Sequence, residues 1–359
     1  MSSNASRLHA FAHLWPGVPL ALGSAILFGL TAPLSKLLLG RFDPQLLAGV
    51  LYLGAGIGLA GFHFGRRLFD LPAPDAPLRR SDLPWLAAVV LFGGVLGPLL
   101  LMAGLSETSA ANGSLLLNLE SLMTMAIAWV VFRENVDTRL FVGAMAILAG
   151  ALVLSWQGRG LALDKGAVLV AGACLAWGID NNLTRKLSSA DPVSIAAIKG
   201  FFAGSVNAAT ALARGAAAPD AALTAGAALL GFFGVGVSLV LFILALRRLG
   251  AARTGAYFAL APFIGAVASI VLLGEAPTPR LLAAGALMGL GLWLHLAERH
   301  EHAHVHDALE HEHAHVHDEH HQHSHDGPVT EPHSHRHRHE RLVHAHPHYP
   351  DLHHRHTHE

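Results

Sequence analysis

Three charged side chains interrupt long apolar stretches of the sequence, and residues of these types can bind protons or small charged molecules inside a membrane. Glu120 stands alone in one stretch, whereas Asp180 and Lys199 lie in two consecutive stretches. An ionised group in the hydrocarbon core costs several kcal/mol, so each side chain is expected to face protein or water. Charges at such positions favour a transport pathway.

Glu120 has two interpretations. In the first, it is a protonatable or cation-binding group in a transport cavity, loaded and released as access alternates. In the second, it is a hydrogen-bonded carboxyl group that joins two helices. Asn118 lies within one turn of Glu120 and is a second candidate at the same site.

Asp180 and Lys199 also have two interpretations. Consecutive antiparallel helices can bring them together, and an ion pair would lower the cost of burying both charges, which makes the pair a structural clamp. Alternatively they line the substrate path, with Lys199 meeting an anionic group and the amides of Asn181 and Asn182 orienting it. Tyr257 is a further candidate for the cavity wall, with helix packing as the alternative.

The last 60 residues have a different character, because they hold 23 of the 27 histidines, mixed with Asp and Glu. This composition predicts a disordered tail. Neutral imidazoles at alternate positions can collect zinc, nickel, cobalt or copper, and no other cofactor is expected. The candidate metal ligands are His302, His304, His306, His313, His315, His317, His346, His348, His353 and His354.

The tail also contains His311-Glu312-His313-Ala314-His315, which matches the ligand pattern of a zinc peptidase. That motif needs a stable helix in a shaped pocket, and a histidine-rich tract produces such matches by chance. We therefore predict no enzyme activity. The sequence also lacks a Gly-rich phosphate loop followed by Lys-Ser or Lys-Thr, so a gradient-driven mechanism fits better than ATP-driven transport.

The elements that must position these residues are apolar runs that recur from residue 17 to residue 297. About 20 residues are needed for each bilayer crossing. The runs predict an all-α polytopic membrane protein with ten transmembrane helices. The predicted helices are 17–40, 44–65, 83–105, 109–132, 138–156, 166–187, 192–213, 224–247, 251–273 and 279–297.

Lys and Arg in the loops predict the orientation. With a cytoplasmic N-terminus, the inner loops hold most of these residues, including Arg66, Arg67, Arg247 and Arg248, as the positive-inside rule requires. We expect a protein of the cytoplasmic (inner) membrane with both termini in the cytoplasm and no cleaved signal peptide. The net charge of −1, without a basic patch, argues against a nucleic-acid partner.

The first half of the membrane region is repeated in the second half. The matched residues are Phe28-Gly29, Lys36, Asp43-Pro44, Gly113 and Arg133-Glu134 in the first half, and Trp177-Gly178, Arg185, Asp191-Pro192, Gly255 and Gly274-Glu275 in the second. The offset falls from 149 to about 141 residues, so each unit has roughly 140 residues. Because each unit has five hydrophobic segments, the second enters the membrane with the opposite orientation, an arrangement typical of transporters.

Other residues are expected to have structural roles. His63 is interpreted as a packing histidine, and Glu134 and Glu275 are expected to cap the helix that follows each of them. Glycine pairs at spacing four predict close helix contacts. These pairs are Gly54 and Gly58, Gly93 and Gly97, Gly200 and Gly204, and Gly285 and Gly289.

The matched residues resemble the EamA-like branch of the drug/metabolite transporter superfamily. The resemblance rests on the run from Thr254 to Phe263, on Leu273-Gly274-Glu275, and on the first-half partner Ala111-Asn112-Gly113. It implies ten helices in two inverted five-helix repeats and export of amino acids, other metabolites or drugs by alternating access. The chain departs from the family at Glu120, where the second half has Pro262 and the family commonly has proline.

These observations divide the chain into four parts: an interfacial N-terminus (1–16), two five-helix repeats (17–158 and 159–298) and the His-rich tail (299–359). The favoured function is a secondary transporter that exports a small metabolite or amphiphile, with the tail as a metal buffer or sensor. A zinc, nickel or cobalt exporter and a non-transporting receptor or metal-storage protein remain alternatives. The expected partners are the lipid bilayer, a small-molecule substrate and transition-metal ions, with a homodimer left open.

Overall fold

The computed structural model describes residues 17–68, 78–132, 138–156, 164–184, 187 and 191–296, and the backbone of four strands in the tail. The membrane region is a bundle of helices. Its α-helices, in chain order, are α1 Gly17–Leu38, α2 Pro44–Leu68, α3 Leu83–Val89, α4 Gly97–Glu107, α5 Ala110–Leu116, α6 Leu119–Phe132, α7 Thr138–Ser155, α8 Lys165–Thr184, α9 Pro192–Ala213, α10 Ala221–Gly231, α11 Ser238–Phe258, α12 Ala261–Leu273 and α13 Pro279–Leu296.

Eight helical segments within the described ranges are long and apolar enough to cross a membrane. Helix α8 is not among them, because Asp180, Asn181 and Asn182 reduce the apolar character of its last turns. Pro279–Leu294 is a shorter apolar helix. The chain is therefore a multi-pass membrane protein.

Local sequence explains where several helices begin. The Asp191 carboxylate accepts hydrogen bonds from the backbone N–H groups of Val193 and Ser194 at the start of α9, and Pro192 occupies its first turn. Asp220 caps α10 in the same way. These side chains satisfy N–H groups that have no partner inside the helix.

Two helices are interrupted where the sequence predicts continuous spans. A π-helical turn, Val90–Leu96, joins α3 to α4, and a second π-helical turn, Phe232–Val237, joins α10 to α11. The predicted span 109–132 is broken by a turn at Leu117 and Asn118. Apolar length alone cannot reveal these breaks, because the residues on both sides remain apolar.

The predicted spans 224–247 and 251–273 agree with two separate apolar segments, Ala221–Ala245 and Thr254–Leu273, but the backbone between them remains helical. The helical backbone continues through this region to Phe258, turns at Ala259 and Leu260, and resumes as α12. The short connection predicted at 248–250 is therefore helical, which agrees with the high helix propensity of Ala, Leu and Arg.

The two halves pack on each other. Helix α1 packs against α11 and α12, and α8 packs against α4 and α6. Helix α2 packs against α9, and α7 against α13. In the sequence repeat, α8 is the counterpart of α1, while α4 and α6 are the counterparts of α11 and α12. The contacts of α1 therefore match those of α8, and the α2–α9 and α7–α13 contacts each join two counterparts.

Three of the four predicted glycine pairs make close contacts. A Cβ atom at Gly54 would overlap the carbonyl oxygen of Ala228, and one at Gly200 would lie 2.7 Å from the backbone N of Gly56. Gly58, Gly93, Gly97 and Gly204 are equally crowded. The prediction is wrong for Gly285 and Gly289, where the nearest atoms lie at ordinary contact distance.

Part of the tail forms strands where the sequence predicts disorder. Strand β1 (Glu301–His306) pairs antiparallel with β4 (Leu342–Pro347), and β2 (Leu309–His315) pairs with β3 (His333–His339). Histidines alternate with other residues along these segments, and a period of two is compatible with extended backbone.

We predict that Gly54→Ala lowers the stability of the bundle by about 1–3 kcal/mol, the usual cost of overpacking. The added methyl group would overlap the Ala228 carbonyl, so α2 and α10 would have to separate. Gly289→Ala is the matched control, because the nearest atom to its new methyl group would be 3.8 Å away. The thermal unfolding midpoint of each purified variant in detergent measures the effect, and equal midpoints would contradict the close approach.

Candidate functional site

The centre of the candidate site is the π-helical turn Val90–Leu96. Its backbone carbonyls bond to side chains from three other helices. The Gly93 carbonyl accepts hydrogen bonds from Trp177 Nε1 at 3.0 Å and from the Tyr52 hydroxyl at 3.2 Å, and the Val95 carbonyl accepts one from Asn207 Nδ2 at 3.1 Å. A π turn disturbs the regular helical pairing, and inside a membrane the affected carbonyls need other donors.

Asp180 and Lys199 form a direct ion pair beside this turn, as the sequence predicts for two consecutive antiparallel helices. Only 6% of the Asp180 side chain and 20% of the Lys199 side chain are exposed. The Thr184 hydroxyl donates a second hydrogen bond to Asp180, at 3.3 Å. A Cβ atom at Gly93 would collide with both charged groups, so a glycine is needed where the ion pair meets the turn.

Glu120 and Asn181 form the more accessible part of the site. Asn181 Nδ2 donates to Glu120 Oε1 at 3.0 Å and to the Thr124 hydroxyl at 3.2 Å. Glu120 is partly exposed and Asn181 is exposed. Asn181 directly follows Asp180 in α8, so its bond to Glu120 places this carboxyl group next to the Asp180–Lys199 ion pair, and the four residues form one cluster.

Asn181 is exposed on a different side of α8 from the apolar surface. Val168 and Leu175 are exposed and seven residues apart, so they share one face of the helix. Successive helical residues are rotated by about 100°, which places Asn181 roughly 120° around the helix from Leu175. The Asn181 amide therefore does not belong to the apolar face that suits lipid.

The break at Leu117 and Asn118 explains why a carboxylate is tolerated at position 120. Glu120 lies in the first turn of α6, where the helix dipole favours negative charge. Its repeat counterpart Pro262 lies in the first turn of α12, where proline is also favoured. Both residues suit a helix start, so the exchange preserves the backbone and introduces a charge.

The structure places two other candidates elsewhere. Asn118 is buried, donates to the Leu115 carbonyl at 2.8 Å and lies 3.9 Å from Met288 Sδ. Its amide thus bonds within the helix break. Tyr257 is half-buried and packs against the apolar cluster of Ala21, Ala245 and Leu249, as the packing interpretation predicts.

Sequence reasoning missed polar residues of the site such as Gln45 and Asn207, whereas Asn182 belongs to the polar group that it identified. Gln45 Nε2 donates to Asn207 Oδ1 at 3.4 Å, and Asn207 in turn donates to the π turn. Asn182 Nδ2 donates to the backbone carbonyls of Thr124 and Gly178, at 3.0 and 2.8 Å. An uncharged amide within an apolar run is the signal that could have identified Gln45 and Asn207.

His63 and Cys174 lie apart from this cluster. His63 Nδ1 is 3.6 Å from Asp191 Oδ2, beside a shallow pocket of about 210 Å³ that Phe64 and Ser194 help to line. Cys174 is buried, with its Sγ 3.6 Å from the Leu116 carbonyl. In the part of the chain that the structure describes, no three His, Cys, Asp or Glu side chains are grouped to hold a metal ion.

Two charged residues stabilise the break between α4 and α5. The Glu275 carboxylate accepts hydrogen bonds from the backbone N–H groups of Ala110 and Ala111, at 2.7 and 2.8 Å. Lys36 Nζ donates to the carbonyls of Leu105 and Thr108. The Glu275 carboxylate thus lies at the positive N-terminal end of α5, and the Lys36 ammonium group lies at the negative C-terminal end of α4.

Glu275 therefore caps a helix, but the prediction that it caps the next helix in the chain is wrong. The left-handed backbone of Gly274 (φ 66°) ends α12, and the Glu275 carboxylate reaches the start of α5 in the other half. Glu134 lies outside the described residues.

The ten predicted metal ligands are histidines of the tail. His317, His348, His353 and His354 lie outside the described residues. The remaining candidates lie on the strands, where the description covers the backbone alone; these are His302, His304, His306, His313, His315 and His346.

We predict that Asp180 and Lys199 are energetically coupled. Asp180→Asn or Lys199→Met alone leaves one buried charge without its partner, a loss of about 3–5 kcal/mol for buried pairs. The double variant should be milder than the sum by about 0.5–3 kcal/mol. A double-mutant cycle on unfolding free energies in detergent tests this, and additive losses would remove the clamp interpretation.

Comparisons with known proteins agree with the fold and the apolar helices. The model of the EamA-like transporter family matches residues 15–156 and 164–297. An uncharacterized transporter of Methanothermobacter thermautotrophicus is 29% identical over 296 residues, 78% of this chain and 86% of the relative. A probable terminal-alkyne amino-acid exporter of Streptantibioticus cattleyicolor is 27% identical over 250 residues, 67% of this chain and 84% of that protein.

One solved crystal structure has the same fold, with a TM-score of 0.58 at 18% identity over 78% of this chain and 95% of the solved chain. The family model covers both halves of the membrane region, including the helices that carry Glu120, Asp180 and Lys199. The chain belongs to the EamA-like transporter family.

Proposed function

We propose that this membrane transporter is a gradient-driven exporter of a small metabolite or amphiphile, with Glu120 and Asn181 at its binding site. One observation carries the proposal: Glu120 is a partly exposed carboxylate whose hydrogen-bond partner is a neutral amide. The neighbouring Asp180 and Lys199 neutralise each other. Glu120 is therefore the residue of this cluster whose charge can change during transport.

The proposal includes ten membrane crossings in two inverted repeats. The eight apolar segments become ten when α8 and α13 are added, and each half then contributes five. The packing between counterpart helices supports this arrangement. An odd number of crossings in each half inverts the second half, so both halves can move relative to a site between them.

We place the protein in the cytoplasmic membrane with both termini in the cytoplasm, from the excess of Lys and Arg in the inner loops. The outward direction is supported by the relative from Streptantibioticus cattleyicolor, whose description is that of an exporter. A transition-metal exporter is less well supported, since His63 and Cys174 lie apart and the described residues contain no metal cluster. An accessible carboxylate inside the bundle also favours transport over a purely anchoring role.

The His-rich tail is proposed as an accessory buffer or sensor for zinc, nickel or cobalt ions. Alternating imidazoles supply ligands of the type these metals prefer. In the proposed orientation the chain leaves α13 on the cytoplasmic side, so the tail would collect metal near the inner opening without forming part of the pathway.

We predict that Glu120→Gln keeps the bundle folded and strongly slows or abolishes transport, because the amide has the shape of the carboxyl group and cannot titrate. Flux of candidate substrates in proteoliposomes measures the effect as a function of pH. Glu107→Gln is the matched control, since Glu107 is an exposed carboxylate that pairs with Lys165 at a helix end. Flux through Glu120→Gln at the wild-type rate and pH dependence would exclude this role for Glu120.

We predict that deletion of residues 300–359 removes most zinc or nickel binding and preserves both the helical bundle and basal transport. Imidazole must be neutral to bind metal and its unperturbed pKa is about 6.5, so the metal affinity of the full chain should fall from pH 7 to pH 5. Calorimetry on the full and shortened chains measures binding, and flux with and without excess metal measures the regulatory effect. Unchanged binding after deletion would move the metal site into the membrane region, and lost basal flux would make the tail part of the transport mechanism.

A further inference from the structure

The accessible part of the candidate site presents hydrogen-bond acceptors. Asn181 uses its Nδ2 group as a donor to Glu120 Oε1 and Thr124 Oγ1. The Thr124 hydroxyl hydrogen is also in use, because it is donated to the Glu120 backbone carbonyl at 2.9 Å. Among the described contacts, Glu120 Oε2 and Asn181 Oδ1 have no donor. Both oxygens can only accept, so a ligand that bonds to them must supply N–H or O–H groups.

The charges around these oxygens also restrict the charge that the ligand can carry. Asp180 and Lys199 form a close ion pair, and Asp180 also accepts from Thr184. Their formal charges cancel, so the protonation state of Glu120 sets the net charge of the cluster, which is negative when the carboxyl group is ionised. A ligand with one positive charge would complete the compensation, whereas an anion would meet repulsion.

The ion pair also argues against a zwitterion. Lys199 is the cation of this cluster, and its Nζ is engaged by Asp180 while only 20% of its side chain is exposed. A ligand carboxylate would have to break that pair, and Asp180 would then be a buried charge without a partner. The cluster thus offers a counter-charge to an ammonium group and none to a carboxylate.

On these grounds, and resting on the transport function proposed above, we infer that the Glu120–Asn181 site binds the protonated amine of a monocationic organic substrate that carries no carboxylate. The ammonium group donates to Glu120 Oε2 and Asn181 Oδ1. Because one carboxylate receives either a proton or the ammonium group, protonation of Glu120 releases the substrate.

The test compares ligands that share a carbon skeleton and differ in charge. Phenylethylamine, phenylalanine and 3-phenylpropanoate form one set, and butylamine, norvaline and pentanoate form a second, aliphatic set. Sodium chloride alone tests whether a simple alkali cation suffices. Binding to the purified full chain is measured at pH 7.5 by calorimetry and by the ligand-dependent rise of the unfolding midpoint, which follows affinity by mass action.

At least one of the two amines should bind at least tenfold more tightly than its zwitterionic and anionic partners. Glu120→Gln should weaken amine binding at least tenfold, and Glu107→Gln should leave it unchanged. Affinity in the wild type should fall as the pH is lowered, because protons compete with the amine for one carboxylate, and this pH dependence should be lost in Glu120→Gln.

A second variant is expected to gain affinity for a different ligand, so its result does not depend on interpreting a loss of binding. Asn181→Asp places a second carboxylate beside Glu120, and two adjacent negative charges favour a ligand with two positive charges. The ratio of 1,4-diaminobutane affinity to butylamine affinity should rise at least tenfold in Asn181→Asp relative to wild type. A role of Asn181 limited to helix packing would leave that ratio unchanged.

Several results would overturn the inference. The first two are equal binding of the zwitterion and the amine, and undiminished amine binding in Glu120→Gln. The others are failure of both amines to bind, and a full Glu120-dependent effect produced by sodium alone. Flux of the same compounds in proteoliposomes separates this inference from the proposed function. Glu120-dependent flux of a zwitterion or anion would sustain the transport function and reject the amine, whereas selective amine binding without flux would reject the transport function alone.

Discussion

Every backbone N–H and C=O group within the hydrocarbon must find a partner inside the protein, because lipid supplies none. A continuous α-helix meets this requirement by itself, but the bundle contains breaks and widened turns. At the π turn and at the break between α4 and α5, polar side chains from other parts of the chain bond to the backbone. Trp177, Tyr52 and Asn207 do so at the π turn, while Glu275 and Lys36 do so between α4 and α5.

This constraint separates two kinds of polar residue that look alike in sequence. Asn182, Asn207 and Lys36 each bond to backbone carbonyls, so their polarity serves the irregular backbone. Glu120 and Asn181 bond to each other and remain accessible. The functional assignment of Glu120 therefore depends on this contrast more than on the presence of a carboxylate in an apolar run.

The two halves use the same backbone for different chemistry. The π turns begin at residues 90 and 232, and the helix breaks begin at residues 117 and 259, an offset of 142 residues in both cases. The first half contributes Glu120 to the charged cluster, and the second half contributes Asp180 and Lys199. The counterpart of Glu120 is Pro262, and Phe258, four residues before it, packs against Phe28 and Phe242 with ring centroids 5.3 and 4.9 Å apart. The charged cluster thus occurs once in a repeated frame and combines residues of both halves.

The sequence alone was sufficient to predict the structure where one strong physical effect decides the outcome. Apolar length located most helices, and the cost of isolated charges placed Asp180 beside Lys199. It was insufficient where several weak effects compete, as in the continuous helix through residues 247–251, or where the partner lies far along the chain. Glu275 illustrates the second case, because nothing near it in sequence indicates that its carboxylate meets Ala110, 165 residues away.

The same packing limits where the bundle can rearrange. Gly49, Gly56, Gly200 and Gly204 bring the backbones of α2 and α9 so close that a methyl group does not fit between them. Small sliding motions there would collide at once, since close-packed interfaces have discrete arrangements. In the proposed transport mechanism, α2 and α9 would therefore move together, and the π turns and helix breaks are places where the other helices can bend. Glu120 lies in the first turn after one of those breaks, where neutralising a carboxylate weakens its interaction with the helix N-terminus. In the transport mechanism proposed above, protonation of Glu120 and movement of α6 would therefore involve the same few residues.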